Sequence, residues 1–117
     1  MQIFKKGLIT FNILFILLFF FSSIQSETLS LQWGKEEGSL DWKSAIEKCK
    51  ASGMRMPTKK ELLSLYSTRE FKTFAANWYW TSDESDSERA WAVVLNVGAI
   101  LHIPKQYHNN VRCVVLK

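Results

Sequence analysis

Asp41-Trp42-Lys43-Ser44-Ala45-Ile46-Glu47-Lys48-Cys49-Lys50, closed by Ala51-Ser52-Gly53, is the stretch around which the rest of the chain arranges itself. Asp41 is suited to accept from the backbone amides left free at a helix start. Trp42, Ala45, Ile46 and Cys49 recur at helical spacing and define one apolar face, while Lys43, Glu47, Lys48 and Lys50 point elsewhere. Gly53 supplies the positive φ that a helix end requires. A cysteine therefore sits on the inner face of a helix. The second cysteine, Cys113, lies in Val111–Leu116, a strand pattern with Val111, Cys113 and Val115 on one face. Two lone cysteines in a small domain most often pair in an oxidising compartment, and the bond would tie this helix to the last strand. The alternative is two unrelated buried thiols.

The opposite end of the chain bears on the compartment. Lys5 and Lys6 form a basic start, Leu8 to Phe21 is apolar apart from Thr10 and Asn12, and Ser22, Ser23 and Ser26 are small. That is the pattern of a signal peptide, residues 1–26, with cleavage expected after Ser26 and Ile24 at the minus-three position. No cysteine lies near that site to carry a lipid. The apolar run falls short of the ~20 residues that span a bilayer comfortably, which disfavours an uncleaved anchor. Removing 26 of the 117 residues leaves 91, enough for one domain, residues 27–117. A core that small is often stapled covalently. Of the net charge of +4, Lys5 and Lys6 supply two, so the remaining domain is only about +2. Such a modest charge gives no reason to expect nucleic acid as a partner.

Leu29 to Trp33 alternates as a half-buried strand, and Gly34 to Ser39 reads as a charged turn. Met54-Arg55-Met56-Pro57 is an extended link, because the residue before proline avoids the helical region. Thr58-Lys59-Lys60-Glu61 is a capping box that opens a second helix with Leu62, Leu63, Leu65 and Tyr66 as its apolar residues. Ser67 to Asn77 reads as a loop that Phe71 and Phe74 pin to the core. Trp78 to Ser82 is strand-like. Asp83 to Arg89 is a polar loop, Ala90 to Val97 a central strand, Ala99 to Ile103 its hairpin partner after Gly98, and Pro104 to Asn110 another loop. Strand, helix, helix and then several strands predict an α+β domain with two helices packed on an antiparallel sheet.

Leu40-Asp41-Trp42-Lys43-Ser44-Ala45, Cys49, Gly53-Met54-Arg55-Met56-Pro57-Thr58-Lys59-Lys60-Glu61-Leu62, Tyr79-Trp80-Thr81-Ser82, Ala90-Trp91 and Val111-Arg112-Cys113-Val114 follow one another in an order that resembles a bacterial family. It is the Lcl C-terminal domain family, typified by the C-terminal region of the Legionella collagen-like adhesin. The resemblance covers nearly all of residues 29 to 117. It implies a C-type-lectin-like fold in which a disulfide, here Cys49–Cys113, joins the first helix to the final strand. Met54 stands where the family often has tryptophan. No collagen-like stalk is read ahead of the domain, so trimerisation through one is not carried over. The Glu-Pro-Asn and Trp-Asn-Asp motifs of calcium-dependent lectins are missing, and a calcium-bridged sugar site is not expected.

The remaining side chains offer several chemistries. Asp83, Glu84, Asp86 and Glu88 form the one carboxylate cluster, without the glycine and ligand spacing of a calcium loop, and read as a solvated loop. His102 and His108, the only histidines, fall short of a zinc ligand set once the cysteines are consumed. No nucleophile with a base and an orienting group is evident. A relation to formylglycine-generating enzymes, which share the broader fold, therefore ranks last, and no metal or cofactor is expected. Lys48, Lys50, Arg55, Lys59 and Lys60 are a candidate patch for anionic ligands. The resemblance adds weight here, because the adhesin domain is held to bind glycosaminoglycans. Of Trp78, Tyr79, Trp80, Trp91 and Tyr107, most are expected in the core, with Tyr107 the candidate for an exposed aromatic ligand surface. The expectation is a non-enzymatic binding module, secreted, periplasmic or at the cell surface. Its partner would be extracellular polysaccharide or a protein surface, with membrane contact only through the leader if that stays attached. The runner-up is a structural envelope protein working through protein contacts alone.

Overall fold

In the computed structural model, residues 30–117 are described. The predicted leader, residues 1–26, and the start of the first predicted strand lie outside them. Leu31–Lys117 forms one compact unit. Its elements are β1 (Leu31–Leu40), α1 (Trp42–Ala51), α2 (Lys59–Thr68), a 3₁₀ turn (Glu70–Thr73), β2 (Trp78–Glu84), β3 (Arg89–Val94), β4 (Ala99–Pro104) and β5 (Asn109–Leu116).

The helix boundaries fall where the local chemistry puts them. Asp41 accepts from the Ser44 amide at 2.8 Å and caps α1. At the other end the Gly53 amide bonds to the Lys50 carbonyl and the Met54 amide to the Cys49 carbonyl, with Gly53 at φ +72°. This paired closure satisfies two carbonyls that the helix itself cannot. The capping box of α2 is complete: the Glu61 amide donates to Thr58 Oγ1 at 3.1 Å, and the Thr58 amide donates to Glu61 Oε1 at 2.8 Å. The helix ends at Arg69, a left-handed residue, and the 3₁₀ turn occupies part of the segment expected to be loop.

The five strands run in the order β1-β5-β2-β3-β4. All neighbours are antiparallel except β2 and β5, which pair in parallel through Tyr79 and Asn110, so the expected all-antiparallel sheet has one parallel joint. The first strand also departs from expectation. Gly34 to Ser39 does not turn; it continues β1 to Leu40, with register shifts between Trp33 and Glu36 and between Glu36 and Gly38. The inserted residues break the alternation that marks a strand, and Gly38 takes φ +85° at the second irregularity. At the β2–β3 connection the strand reaches Glu84, and only Ser85 to Glu88 turns.

The helices lie on opposite faces of the sheet. Trp80, Ala92, Val111 and Cys113 pack with Ala45 and Cys49 of α1, while Tyr79 and Val93, their neighbours in the pleat, pack with Leu62 and Leu65 of α2. Phe71 and Phe74 cover the second cluster, as expected of them. On β5 it is Val114, not Val115, that is fully buried. The Arg55 amide and carbonyl both bond to Val114, so the link after α1 closes over that residue on the side away from β1. Cys49 and Cys113 form a disulfide, and both residues are buried. It joins α1 to β5, and its burial leaves neither sulfur on the surface.

Beneath the α2 side runs a partly buried polar contact. The Tyr79 hydroxyl lies 2.8 and 2.9 Å from the two Glu36 carboxylate oxygens and accepts from the Ala76 amide at 3.1 Å. Burial first, and then the Glu36 contact, push the phenol up to about 12. Arg112 spans the same region, donating to the Gly34 carbonyl at 2.6 Å with its guanidinium 4.3 Å from the Phe74 ring centroid.

Candidate functional site

A cleft of about 900 Å³ opens where three segments distant in sequence meet: the first residues of α1, the turn before β3 and the turn after β4. Each wall is held from behind. Asp41 accepts from both the amide and the hydroxyl of Ser44, and these bonds, the amide's foremost, keep its carboxyl below the usual range. The Trp42 amide donates to the Lys105 carbonyl at 3.0 Å, and its indole Nε1 to the Thr81 carbonyl at 2.8 Å. Asp86 Oδ1 accepts from the Glu88 and Arg89 amides at 2.8 Å each, fixing the turn and lowering the Asp86 carboxyl, with the Glu88 amide the largest cause. Lys105 is the keystone: its amide donates to the Glu88 carbonyl, and its ammonium lies 2.6 Å from Glu84 Oε2, 2.9 Å from the Ser87 carbonyl and 4.6 Å from the Trp42 ring centroid. What remains free is mixed in sign. Lys43 and Arg89 are exposed and form no ion pair among the described residues, and Glu88 is exposed beside them. Donors, acceptors and part of an indole on one rigid opening suit a ligand rich in hydroxyls with an apolar face.

The five residues of the predicted basic patch are differently engaged. The Arg55 guanidinium makes a bidentate pair with Glu61, 2.7 Å on both arms, which raises the Arg55 pKa and holds Glu61 below the carboxylate range. The Lys59 ammonium sits 4.4 Å from the Trp91 ring centroid. Lys48, Lys50 and Lys60 are exposed. Lys50 and Arg55 share a depression, a smaller pocket of about 330 Å³ between α1 and the Met54–Thr58 link.

The carboxylates of the acidic loop are each engaged structurally or exposed. Asp83 Oδ2 accepts from the Lys59 amide at 2.6 Å, adding a second acceptor at the start of α2; Glu84 holds Lys105; Asp86 sets the turn. Among the described residues no group of three or more His, Cys, Asp or Glu comes together in a way that would hold a metal ion. His102 lies against Trp91 with centroids 5.3 Å apart, opposite in the pleat to Ile103, which packs on the α1 side. His108 is exposed. Of the aromatic residues, Tyr79 and Trp80 are buried on opposite faces, Trp91 is half-buried, Trp78 is partly exposed, and Tyr107 is the most exposed at 57%.

Sequence reasoning missed the cleft. Lys43, Arg89 and Lys105 were each unremarkable in the chain, and they meet only because β3 and β4 bring two turns beside α1. The one local signal was Asp86 three residues before Arg89, the spacing of a side chain that closes its own turn.

The fold and the buried bridge define a small α+β domain clamped by one disulfide between its first helix and its last strand. Residues 23–115 match the Lcl C-terminal domain, and the chain belongs to that family. No curated protein matches the chain. The disulfide is consistent with a protein that matures in the periplasm or outside the cell.

Proposed function

We propose that the domain is an exported, non-catalytic binding module of C-type-lectin-like architecture whose ligand is an extracellular glycan, held in the cleft beside the start of α1. The observation that carries this reading is the cleft itself. It is the size of a small-ligand site, it is braced by Lys105 and Asp86, and Lys43 and Arg89, without ion pairs among the described residues, line it with Trp42. Those groups favour a glycan that carries some negative charge. The pairing of the first and last strands and the helix-to-strand disulfide support the lectin-type kinship.

A glycan array probed with the oxidised protein tests the reading. Saturable binding to acidic oligosaccharides is expected, weakened by salt and reduced about tenfold or more by Lys43→Glu with Arg89→Glu. A blank array, or binding that ignores both substitutions, refutes it.

A second reading, contact with another protein, is favoured by one observation. Edge strand β4 pairs with β3 in unbroken register over six residue pairs, and it carries no formal charge, with Ile100 and Leu101 each 40% exposed. The opposite edge, β1, is bulged and bears Lys35, Glu36 and Glu37, devices that discourage strand addition. Cross-linking to a partner through β4 alongside a blank array would favour this reading.

A further inference from the structure

The smaller pocket, about 330 Å³, has a composition unlike the cleft. Ile46, Met54 and Met56 give it an apolar lining, Thr58 and Ser82 carry hydroxyls, and Lys50 and Arg55 complete its walls. Its frame is fixed on every side. Lys50 and Cys49 carbonyls close the helix end onto Gly53 and Met54; Arg55 is bonded through both backbone groups to Val114; the Ser82 amide donates to the Pro57 carbonyl at 2.8 Å. The disulfide holds Cys49 of the same helix to β5. The methionines supply a soft, polarizable surface, held from beneath: Met56 is buried in the core and the thioether end of Met54 lies against Gly34. The lining residues named include no aromatic ring, which disfavours a flat ligand. The charge above the pocket is not balanced: Arg55 is neutralised by Glu61, whereas Lys50 makes no ion pair among the described residues.

From an apolar pocket walled in part by Lys50, which has no ion pair among the described residues, we infer that this pocket is a binding site for an aliphatic carboxylate. The chain lies on Ile46, Met54 and Met56, and the carboxylate accepts from Lys50, with a hydroxyl of Thr58 or Ser82 within the same opening. Allowing about 30 Å³ per heavy atom, the share of one water in the liquid, the volume takes roughly eleven heavy atoms. That corresponds to a carboxylate of eight to ten carbons. The site is separate from the proposed glycan cleft, being formed by the later turns of α1, and it does not depend on that reading.

The test is a titration of octanoate, below its micelle concentration, into the oxidised protein, followed through the ε-methyl resonances of the methionines. Saturable shifts of Met54 and Met56 are expected. Binding should tighten about three- to fourfold per added methylene from hexanoate to octanoate, and octanol, with the same chain and no charge, should bind about tenfold more weakly. Lys50 is exposed, so Lys50→Glu should fold as the parent does; it should lose octanoate binding about tenfold and gain binding of octylammonium. The inference is overturned if neither methyl shifts saturably, if octanol binds as tightly as octanoate, or if Lys50→Glu leaves octanoate affinity unchanged.

Discussion

Opening the Cys49–Cys113 bridge should remove a large share of the domain's stability. The two residues are 64 apart in sequence. In the chain-entropy treatment, releasing a loop of that length from the unfolded ensemble is worth about 4 kcal/mol at 25 °C. A folded unit of this size is expected to have a total stability of about 4–13 kcal/mol, so the reduced protein retains between two-thirds of it and almost none. At about 4–8 °C per kcal/mol for a domain of this length, the melting temperature should fall by roughly 16–30 °C. The assay is a pair of urea and thermal melts, oxidised against fully reduced, with Cys49→Ala/Cys113→Ala as a thiol-free control. Because both sulfurs are buried, dithiothreitol in native buffer should act only through opening of the fold, with a rate that tracks unfolding. A fall in melting temperature under about 5 °C would refute the reasoning, as would thiol release in native buffer faster than unfolding. The first result would mean that the core alone holds α1 to β5, the second that a local opening exposes the bridge without unfolding.

Three further outcomes are expected. Thr81 is fully buried, donates to the Trp91 carbonyl at 2.8 Å and accepts from the Asp83 amide at 3.1 Å; Thr81→Val keeps the shape but strands both partners, and a urea melt should show a loss of about 2–3 kcal/mol. Gly98 sits at φ +69°, and a Cβ there would come within 2.6 Å of the Tyr66 ring; since Tyr66 is partly exposed and can swing aside, the backbone conformation dominates, and Gly98→Ala should cost about 1–2 kcal/mol, a stability unchanged in thermal melts being the contrary result. Stability should be flat near neutral pH and fall on both sides. Glu61, held low chiefly by Arg55, contributes above its unfolded pKa near 4.5 and loses that contribution as pH falls through the depressed folded value. Tyr79, raised from 10.0 to about 12, contributes fully below 10 and loses its contribution as pH climbs through that window. Urea midpoints against pH should show Glu61→Gln flattening the acid limb and Tyr79→Phe the alkaline one; identical profiles for variant and parent would contradict the assignment.

What could be seen in the sequence was what neighbouring residues decide among themselves. Asp41 and Thr58 announce helix starts because a cap acts over three residues, and Gly53 announces a helix end because only its own φ is at stake. The disulfide was legible because only two cysteines exist to be paired. β1 was cut short because its bulges shift the side-chain alternation on which strand reading depends, and charged Lys35, Glu36 and Glu37 then resemble a turn. The parallel joint between β2 and β5 has no local signature, since it rests on a single pairing between Tyr79 and Asn110. The cleft was invisible for a related reason: Lys43, Arg89 and Lys105 line one opening only when three segments are brought together. For the basic cluster, nearness along the chain gave no hint that Arg55 turns to Glu61 and Lys59 to Trp91.

Leu31 stands directly across from Leu116 on adjoining strands. The two ends of the compact unit therefore lie at one corner, separated by little more than the ~5 Å between paired strands. A carrier protein could receive the whole unit inside a surface loop without being prised open. Strung at the tip of a longer chain, the same unit would present β4, at the far side of the sheet, to whatever lies beyond.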